Sequence, residues 1–330
     1  MSPLLSVRGL VVTYDSPDGA VQALDGVDLT LDAGETLGIV GESGSGKSTL
    51  GAAIGRLLPS GGHRLAGEIE LDGTAVFACD AAAIRALRRR TLGFVFQNPM
   101  TALDPTMRIG DQVRGALGER ADGSRVGELL ESAGLPEPAQ VARSYPHQLS
   151  GGMAQRVAIA MAIARGPRLL IADEPTASLD TSIRDQILDL LMSLRSASGA
   201  SLILLSHDLR MIAKHSDRVA VMYGGRVAEL GASASVFESQ AHPYTKALIE
   251  AAPGSEAAGE SVHPIPGVPP VLYGPSTGCA FAPRCGWAIA RCESERPEPH
   301  AVGDRLVACH RAEEVAGEKP KPVAAARGKP

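Results

Sequence analysis

Short apolar runs and longer segments of helical spacing alternate along the chain. The stretch Leu5 to Tyr14 is rich in Val and Leu and precedes a turn-like segment, which predicts a strand that enters a hairpin. A second strand fits residues 36–40. Two later aliphatic runs, residues 169–172 and 201–206, are typical of short buried parallel strands. Between about residues 81 and 164 the apolar positions recur mainly at helical spacing. The pattern predicts an α/β core with a helical insert at about residues 98–165.

The carboxy-terminal part of the chain has a different texture. Six prolines fall between Pro253 and Pro275, which disfavours helices and central strands. The last dozen residues combine Lys and Arg with Pro, Ala and Gly and contain little apolar material. We therefore predict a first domain at residues 1–252, a small Pro- and Cys-rich extension at residues 253–312 and a flexible tail at residues 313–330.

Charge and apolar content narrow the class of protein. The 330 residues carry a formal net charge of −5, which disfavours a surface that wraps nucleic acid. No apolar run approaches the roughly 20 residues that span a bilayer, and Met1 to Leu5 lack the features of a secretory signal. We expect a cytoplasmic chain whose five cysteines are thiols or metal ligands rather than disulfides.

A glycine-rich segment matches the phosphate-binding motif G-x-x-x-x-G-K-[ST] in full, between a predicted strand and a helix predicted over Lys47 to Leu58. Its residues are Gly41, Glu42, Ser43, Gly44, Ser45, Gly46, Lys47 and Ser48, followed by Thr49. The glycines allow consecutive backbone N–H groups to face phosphate oxygens, and the helix adds its positive dipole end. We expect Lys47 to neutralise the β- and γ-phosphates and Ser48 to supply a hydroxyl to Mg²⁺.

Two adjacent acids end the predicted strand that begins at Leu169. Asp173 is placed to hold Mg²⁺ through water, and Glu174 is placed to polarise the attacking water. Strands also commonly end in solvated acids, so the pair alone is weak evidence for a catalytic site. Its combination with the phosphate loop makes that interpretation strong.

A third motif lies upstream of these acids and opens a predicted helix. It consists of Leu149, Ser150, Gly151, Gly152 and Met153. With the phosphate loop and the acidic pair in this order, the chain resembles the ATPase subunits of ABC transporters, whose fold is a P-loop NTPase core with a helical insert and an antiparallel β subdomain. The family's motif ends in Gln, so Met153 departs from it. Phosphate contacts from Ser150 and the glycine backbone should survive that change.

The resemblance implies roles for further residues. Tyr14 stands where an aromatic ring stacks on adenine, and Gln97 matches the glutamine that approaches Mg²⁺ and the attacking water. His207 matches the histidine that senses the γ-phosphate. The loop of Ser178, Leu179 and Asp180 matches the segment that crosses to the partner ATPase.

The same resemblance implies a mechanism and partners. The Ser150 motif of one chain would close over the nucleotide of a second ATPase subunit, an identical copy or a paralogue, so that two ATP molecules are sandwiched. Closure on ATP and reopening after hydrolysis would move two transmembrane permease subunits that work with an extracytoplasmic solute-binding protein. The chain is then expected at the cytoplasmic face of the cell membrane.

Four of the five cysteines lie near the carboxyl end with the spacing C-x5-C-x6-C-x16-C: Cys279, Cys285, Cys292 and Cys309. Together with the segments Ala241 to Thr245 and Gly278 to Cys285, this end looks like that of the oligopeptide and dipeptide importer ATPases. That resemblance implies a [4Fe–4S] cluster on the four cysteines. A Zn²⁺ ion or no metal are the alternatives, although the spacing lacks the C-x2-C pair of a zinc ribbon.

These observations predict an ATP-binding and ATP-hydrolysing subunit of an ABC importer for di- and oligopeptides. Importers of nickel, oligosaccharide or glutathione share much of the carboxy-terminal pattern. An ABC ATPase that acts on nucleic acid is disfavoured by the single cassette, the short insert and the negative charge. A further interpretation makes the cysteine end a redox or iron sensor that regulates the pump.

Overall fold

The computed structural model describes residues 2–118, 121–177, 179–252 and 264–316. The strands of the described residues are, in chain order, β1 Leu5–Tyr14, β2 Val21–Leu31, β3 Thr36–Val40, β4 Gly62–Leu71, β5 Thr74–Ala75, β6 Leu92–Val95, β7 Leu169–Asp173, β8 Ser201–Ser206, β9 Arg218–Tyr223, β10 Arg226–Ala232, β11 His300–Val302 and β12 Arg305–Val307.

The helices of the described residues are α1 Lys47–Ile54, α2 Ala81–Thr91, α3 Pro99–Ala102, α4 Ile109–Leu117, α5 Gly123–Ser132, α6 Pro138–Arg143, α7 Gly151–Ile163, α8 Thr181–Ser198, α9 Leu209–His215, α10 Ser233–Glu238, α11 Pro243–Glu250, α12 Arg291–Ser294 and α13 Ala312–Val315. Short 3₁₀ turns cover Val76–Ala78, Pro146–Gln148 and Ala282–Arg284. None of the helices in the described part of the chain is long and apolar enough to cross a bilayer.

The chain divides into two compact units, which we call unit one and unit two. Unit one contains the described parts of Met1–Leu4, Leu31–Thr36 and Ala78–Leu205. Its strands β6, β7 and β8 are parallel, with β7 in the middle. Every residue of β7 and of Ser201–Leu205 is buried, as expected for parallel strands that are covered on both faces.

The helices of unit one include the predicted insert. Helices α3 to α7 fill this range, and their apolar faces share one core that includes Ile109, Val113, Leu130 and Val157. The core is continuous because apolar side chains recur at helical spacing on each helix. The short strand β6, however, lies within the stretch that we predicted as mainly helical. Its four residues are too few for strand and helix periods to be distinguished in the sequence.

Unit two contains the described parts of Leu5–Thr30, Leu37–Phe77 and Ser206–Pro330. One sheet has the strand order β2-β1-β4-β5, in which β1 pairs antiparallel with β4 and β4 with β5. In a second group of strands β3 is parallel to β9, and β9, β10, β12 and β11 follow as antiparallel neighbours. The carboxy-terminal strands β12 and β11 therefore continue the row of strands that starts with β3, the strand that precedes the phosphate loop.

The sequence located β1 and β3 with the bounds that the structure has, and it placed a helix directly after the glycine-rich loop. That helix, α1, ends at Ile54 rather than at the predicted Leu58, because Gly55 takes the C-cap position and Arg56 adopts a positive φ of 51°.

The predicted boundary near residue 252 adjoins residues 253–263, which lie outside the described residues. Of the predicted tail, residues 313–315 belong to helix α13, and Val315 is fully buried. The remainder of that tail, from residue 317 onwards, also lies outside the described residues.

Candidate functional site

The glycine-rich loop of unit two joins β3 to α1, and its conformation favours glycine at three positions. Gly44 and Gly46 have φ angles of +80° and +102°. A Cβ atom on Gly41 would lie 2.2 Å from the carbonyl oxygen of Met222. The loop is therefore shaped by glycines that allow positive φ and close backbone approach. Gly46 is also the N-cap of α1, so the loop ends at the positive end of a helix.

Lys47 is held in this loop by backbone carbonyls. Its ammonium donates to the carbonyl oxygens of Gly41 at 2.7 Å and Glu42 at 3.0 Å, and it lies 3.4 Å from the Ser45 hydroxyl. Lys47 and Ser45 are buried, whereas Ser43, Gly44 and Ser48 are exposed. The loop thus presents a positive charge and a hydroxyl-bearing helix start to a ligand, which is the arrangement that binds a polyphosphate.

Glu42 in the same loop is held by residues far along the chain. Its backbone N–H donates to the Tyr244 hydroxyl at 2.8 Å, and its carboxylate accepts from Arg284 at 2.7 and 3.0 Å. Burial raises the pKa of Tyr244 and, less strongly, that of Tyr223, so both hydroxyls stay protonated. The sequence analysis did not single out Arg284 or Tyr244 as site residues. The only signal was their place in the two segments that carried the peptide-importer resemblance.

Two more predicted site residues belong to unit two. Tyr14, at the end of β1, is half-buried, and its ring covers Gly62, where a Cβ atom would lie 2.7 Å from Tyr14 Cε1. His207 is exposed and directly precedes Asp208, whose carboxylate caps α9 by accepting from the N–H groups of Arg210 and Met211 at 3.0 and 3.1 Å. His207 therefore lies at a helix N-terminus, immediately after β8.

The acidic pair of unit one lies at the carboxyl end of β7. Asp173 and Glu174 are 8% and 9% exposed, so neither is an ordinary solvated strand end. Glu174 has a positive φ of 46°, and its N–H donates to the carbonyl oxygen of Leu205 at 2.9 Å. A left-handed conformation costs a non-glycine residue roughly 1–2 kcal/mol, and such residues concentrate at functional sites.

Gln97 of unit one is exposed and follows β6. The next residue, Asn98, caps α3 by accepting from the Met100 N–H at 3.0 Å, and Pro99 occupies the first turn. Phe96, on the other side of Gln97, is 38% exposed. A glutamine between a strand end and a capped helix has a fixed backbone and a side chain that is free to reach a ligand.

The Ser150 motif begins helix α7. Ser150 is exposed and is the N-cap residue, with its hydroxyl accepting from the Met153 N–H at 3.3 Å. Gly152 is buried, and a Cβ there would lie 3.1 Å from Ile183. Met153, the position that departs from the family's Gln, is half-buried and packs against the core of the helical insert. The departure therefore affects a packing position rather than the exposed Ser-Gly turn.

The predicted crossing loop lies beside this motif within unit one. A Cβ on Gly151 would be 3.7 Å from Leu179, which is 9% exposed. Asp180 is exposed and is the N-cap residue of α8, and Arg184 Nε donates to the Leu179 carbonyl at 3.0 Å. Ser178 lies outside the described residues.

The four carboxy-terminal cysteines belong to one small part of unit two and are free thiols. The Cys279 N–H donates to the Cys292 carbonyl at 2.8 Å, and the Cys285 and Cys309 sulfurs accept from backbone N–H groups at 3.3 and 3.4 Å. Burial raises the thiol pKa to about 12 at Cys285 and to about 11 at Cys309, and neighbouring cysteines add to both shifts. Among the described residues, no group of three His, Cys, Asp or Glu side chains has an arrangement that could hold a metal ion.

Comparison with known proteins identifies the family. Residues 24–177 match the ABC transporter family, and residues 228–292 match the oligopeptide/dipeptide transporter C-terminal region. The oligopeptide transport ATP-binding protein OppD of Bacillus subtilis is 42% identical over 309 residues, which are 91% of this chain and 86% of that protein. OppD of Mycobacterium tuberculosis is 41% identical over 96% of this chain, which spans 53%, about half, of that relative's length.

A solved structure of an ATP-binding cassette is similar to this chain. The dimeric ATP-binding cassette MJ0796, bound to ADP and Pi, superposes with a TM-score of 0.62 at 32% identity and covers 69% of this chain and 98% of its own. The predicted α/β P-loop fold is therefore confirmed for the cassette. From these matches and from the motif order in its own sequence, the chain belongs to the ABC transporter family, in the group of oligopeptide and dipeptide transport ATP-binding proteins.

Proposed function

We propose that the chain is the ATP-binding and ATP-hydrolysing subunit of an ABC importer that takes up di- and oligopeptides. ATP binding is supported by the phosphate loop, where the buried Lys47 ammonium is held by the Gly41 and Glu42 carbonyls. A polyphosphate can replace these carbonyls as the partner of Lys47 while the N-terminus of α1 binds its oxygens. Peptide import is supported by the relatives, which are named for oligopeptide and dipeptide transport.

The reaction assigns separate tasks to the remaining residues. Glu174 orients and polarises the attacking water, His207 and Gln97 respond to the γ-phosphate, and Tyr14 stacks on the adenine ring. The burial of Glu174 and its fixed, left-handed backbone support its role, because a general base must be held in one orientation.

A magnesium ion completes the proposed site. Ser48, Gln97 and Asp173 offer hydroxyl, amide and carboxylate oxygens, which are the ligand types that Mg²⁺ prefers, directly or through water. When bound, the ion neutralises part of the phosphate charge.

The working unit is proposed to be larger than one chain. The exposed Ser150-Gly151 turn and the neighbouring Leu179-Asp180 loop form one surface of unit one, which supports a role in covering the nucleotide of a second ATPase subunit. Two permease subunits in the membrane and an extracytoplasmic binding protein complete the importer. The chain itself is then a peripheral protein at the cytoplasmic face of the membrane.

The ATPase proposal is tested with two variants and two matched controls. Lys47→Ala should abolish ATP binding, whereas Glu174→Gln should keep binding and lower hydrolysis by at least about 100-fold, because a general base contributes that factor or more. Lys214→Ala and Glu128→Gln make the same chemical changes at exposed positions and should leave both properties unchanged. Hydrolysis by Glu174→Gln at the wild-type rate would contradict the proposal.

We also propose that Cys279, Cys285, Cys292 and Cys309 hold a metal centre, a [4Fe–4S] cluster in the first place and Zn²⁺ as the alternative. The proposal is supported by the donor set and by the backbone N–H groups that face two of the sulfurs. The described residues show no ready-made metal site, so binding would have to draw the four thiols into one ligand set. Burial raises the pKa of the Cys279, Cys285 and Cys309 thiols, so metal binding should release protons.

Metal analysis of the anaerobically purified chain separates the alternatives. About four irons and four sulfides per chain, with broad absorption near 400 nm, would support the cluster. Zinc at one ion per chain would support the alternative. Neither metal in the purified chain, and none after reconstitution with iron and sulfide, would overturn the proposed centre without affecting the ATPase proposal.

A further inference from the structure

We propose that Arg284 is a positioning residue for the phosphate loop: it clamps Glu42 and thereby holds the loop in its nucleotide-binding conformation. The inference rests on the proposed ATP site and adds a residue from the carboxy-terminal segment to it. Glu42 occupies an x position of the motif G-x-x-x-x-G-K-[ST], so phosphate binding alone places no demand on its side chain.

The clamp is a two-pronged ion pair. Arg284 Nη1 lies 2.7 Å from Glu42 Oε2, and Arg284 Nη2 lies 3.0 Å from Glu42 Oε1. Two parallel N–H bonds fix the direction of the carboxylate as well as its distance, which a single lysine contact does not do. The guanidinium thus determines where the side chain of the second loop residue lies.

Glu42 transmits this constraint to the phosphate-binding lysine. The backbone carbonyl of Glu42 accepts from Lys47 Nζ at 3.0 Å, and the Gly41 carbonyl accepts from the same ammonium at 2.7 Å. A rotation of Glu42 would move the carbonyl that orients Lys47. Arg284 and Lys47 are therefore connected through a single residue: Glu42 binds Arg284 with its carboxylate and Lys47 with its backbone carbonyl.

Arg284 is itself immobilised, so it acts as a fixed support rather than a surface side chain. It is 6% exposed, its Nε donates to the Pro266 carbonyl at 2.7 Å, and its Nη1 also reaches the Tyr223 hydroxyl at 3.1 Å. The guanidinium carbon lies 5.7 Å from the ring centre of Tyr223 and 5.9 Å from that of Phe281. Its hydrogen bonds and ring contacts leave it little rotamer freedom.

A second support acts on the backbone of the same residue. The Glu42 N–H donates to the Tyr244 hydroxyl at 2.8 Å, and Tyr244 is fully buried against Tyr223 and Phe281, with ring centres 4.5 and 5.3 Å apart. Both the side chain and the backbone of Glu42 are therefore held by residues that follow the cassette core. A cluster that only docked the carboxy-terminal segment would not need two contacts on one loop residue.

The competing explanation is that Arg284 only stabilises the fold. The two roles differ in what they change: a docking residue lowers stability, whereas a positioning residue weakens ATP binding in protein that is still folded. The experiment therefore measures both the dissociation constant of a fluorescent ATP analogue and the thermal midpoint of the full chain.

The variants are Arg284→Gln, Arg284→Lys and Glu42→Gln, with Arg291→Gln as the matched control. Arg291 belongs to the same segment and pairs with Glu295, but at the exposed surface. We expect Arg284→Gln and Glu42→Gln to weaken ATP binding about tenfold, the effect of losing one charged hydrogen-bonded pair. Arg284→Lys should recover part of the loss, and Arg291→Gln should bind like wild type.

The double variant Glu42→Gln with Arg284→Gln should bind no more weakly than either single variant, because both remove the same contact. Dissociation constants within twofold of wild type for Glu42→Gln and Arg284→Lys would overturn the inference even if Arg284→Gln failed to fold. If the wild-type chain does not bind the ATP analogue, or if Lys47→Ala binds it as tightly as wild type, the proposed ATP site is refuted instead.

Discussion

Glu229 on β10 and Arg305 on β12 form a buried ion pair in which Arg305 Nη1 lies 3.1 Å from Glu229 Oε1. Glu229 is fully buried, and its carboxylate also accepts from the N–H groups of Ala241 and His242, both at 3.0 Å. The Glu229 carboxylate thus links three elements: its own strand β10, the start of α11 and the carboxy-terminal strand β12. The pair is a structural support for the segment that carries Arg284.

Replacing Arg305 should destabilise this segment strongly. Arg305→Leu leaves the Glu229 charge buried without its partner, which costs about 3–5 kcal/mol. The only tryptophan of the sequence, Trp287, lies in the same segment and is 4% exposed, so its fluorescence reports local unfolding in urea. The exposed ion pair of Arg291 provides the control, since Arg291→Leu should leave the stability close to that of wild type. Equal losses for the two variants would show that the buried pair has no special role.

His242 should make the stability of the same segment depend on pH. Burial lowers its pKa to about 4, below the ordinary 6.5, and its Nδ1 accepts from the Tyr244 N–H at 3.0 Å, so the folded state holds it neutral. The unfolded state binds a proton near pH 6.5 and the folded state does not, so stability falls as pH decreases from about 6.5 towards 4. The Glu229 carboxylate contacts this residue through the His242 backbone N–H, at 3.0 Å.

The measurement compares His242→Asn with wild type at pH 7 and pH 5. Asparagine can still cap α11 but does not titrate. Wild type should lose about 2 kcal/mol more than the variant on acidification, as followed by Trp287 fluorescence in urea. Parallel losses in the two proteins would rule out His242 as the source of the pH dependence.

Ser150 has two candidate roles that one pair of variants can separate. Its hydroxyl caps α7, and it is also the proposed contact to the nucleotide of a second subunit. Ser150→Asn retains a good cap, so stability should stay within about 0.5 kcal/mol while ATP hydrolysis is lost. Ser150→Ala should lose both hydrolysis and about 1 kcal/mol of stability. Full hydrolysis by Ser150→Asn would limit Ser150 to the capping role.

The neighbouring Met153 should behave differently. Its half-buried side chain packs against the core of the insert, and glutamine is similar in length and helix propensity. Met153→Gln should therefore change steady-state hydrolysis by less than about threefold, since the exposed Ser-Gly turn is unaltered. A much larger change would mean that this position contributes to the nucleotide contact.

The sequence was informative where function depends on a continuous stretch. The phosphate loop, its strand and its helix lie within Thr36–Ile54, and the glycine positions follow from local backbone requirements. By contrast, the Arg284 contact joins residues 242 positions apart, and no spacing or periodicity in the chain encodes it. Strand β6 was missed because its four residues are too few to distinguish a strand period from a helix period.

The cysteine segment marks another limit of sequence reasoning. The spacing of the four thiols suggested a common ligand, but the raised pKa values of Cys279, Cys285 and Cys309 come from burial, which only the folded segment defines. Arg284 immediately precedes Cys285, and the sequence motif was interpreted only as a cysteine site. The charged residue between two ligand candidates is the one that reaches the phosphate loop.

Peptide uptake by cells of the source organism is the direct test of the proposed role in peptide import. Deleting the gene for this chain should lower the uptake of a labelled tripeptide. The wild-type gene should restore uptake, whereas genes for Lys47→Ala or Glu174→Gln should not. Control variants Lys214→Ala and Glu128→Gln should restore uptake fully. Unchanged tripeptide uptake in the deleted strain, particularly with loss of nickel, oligosaccharide or glutathione uptake instead, would contradict the assignment to peptide import.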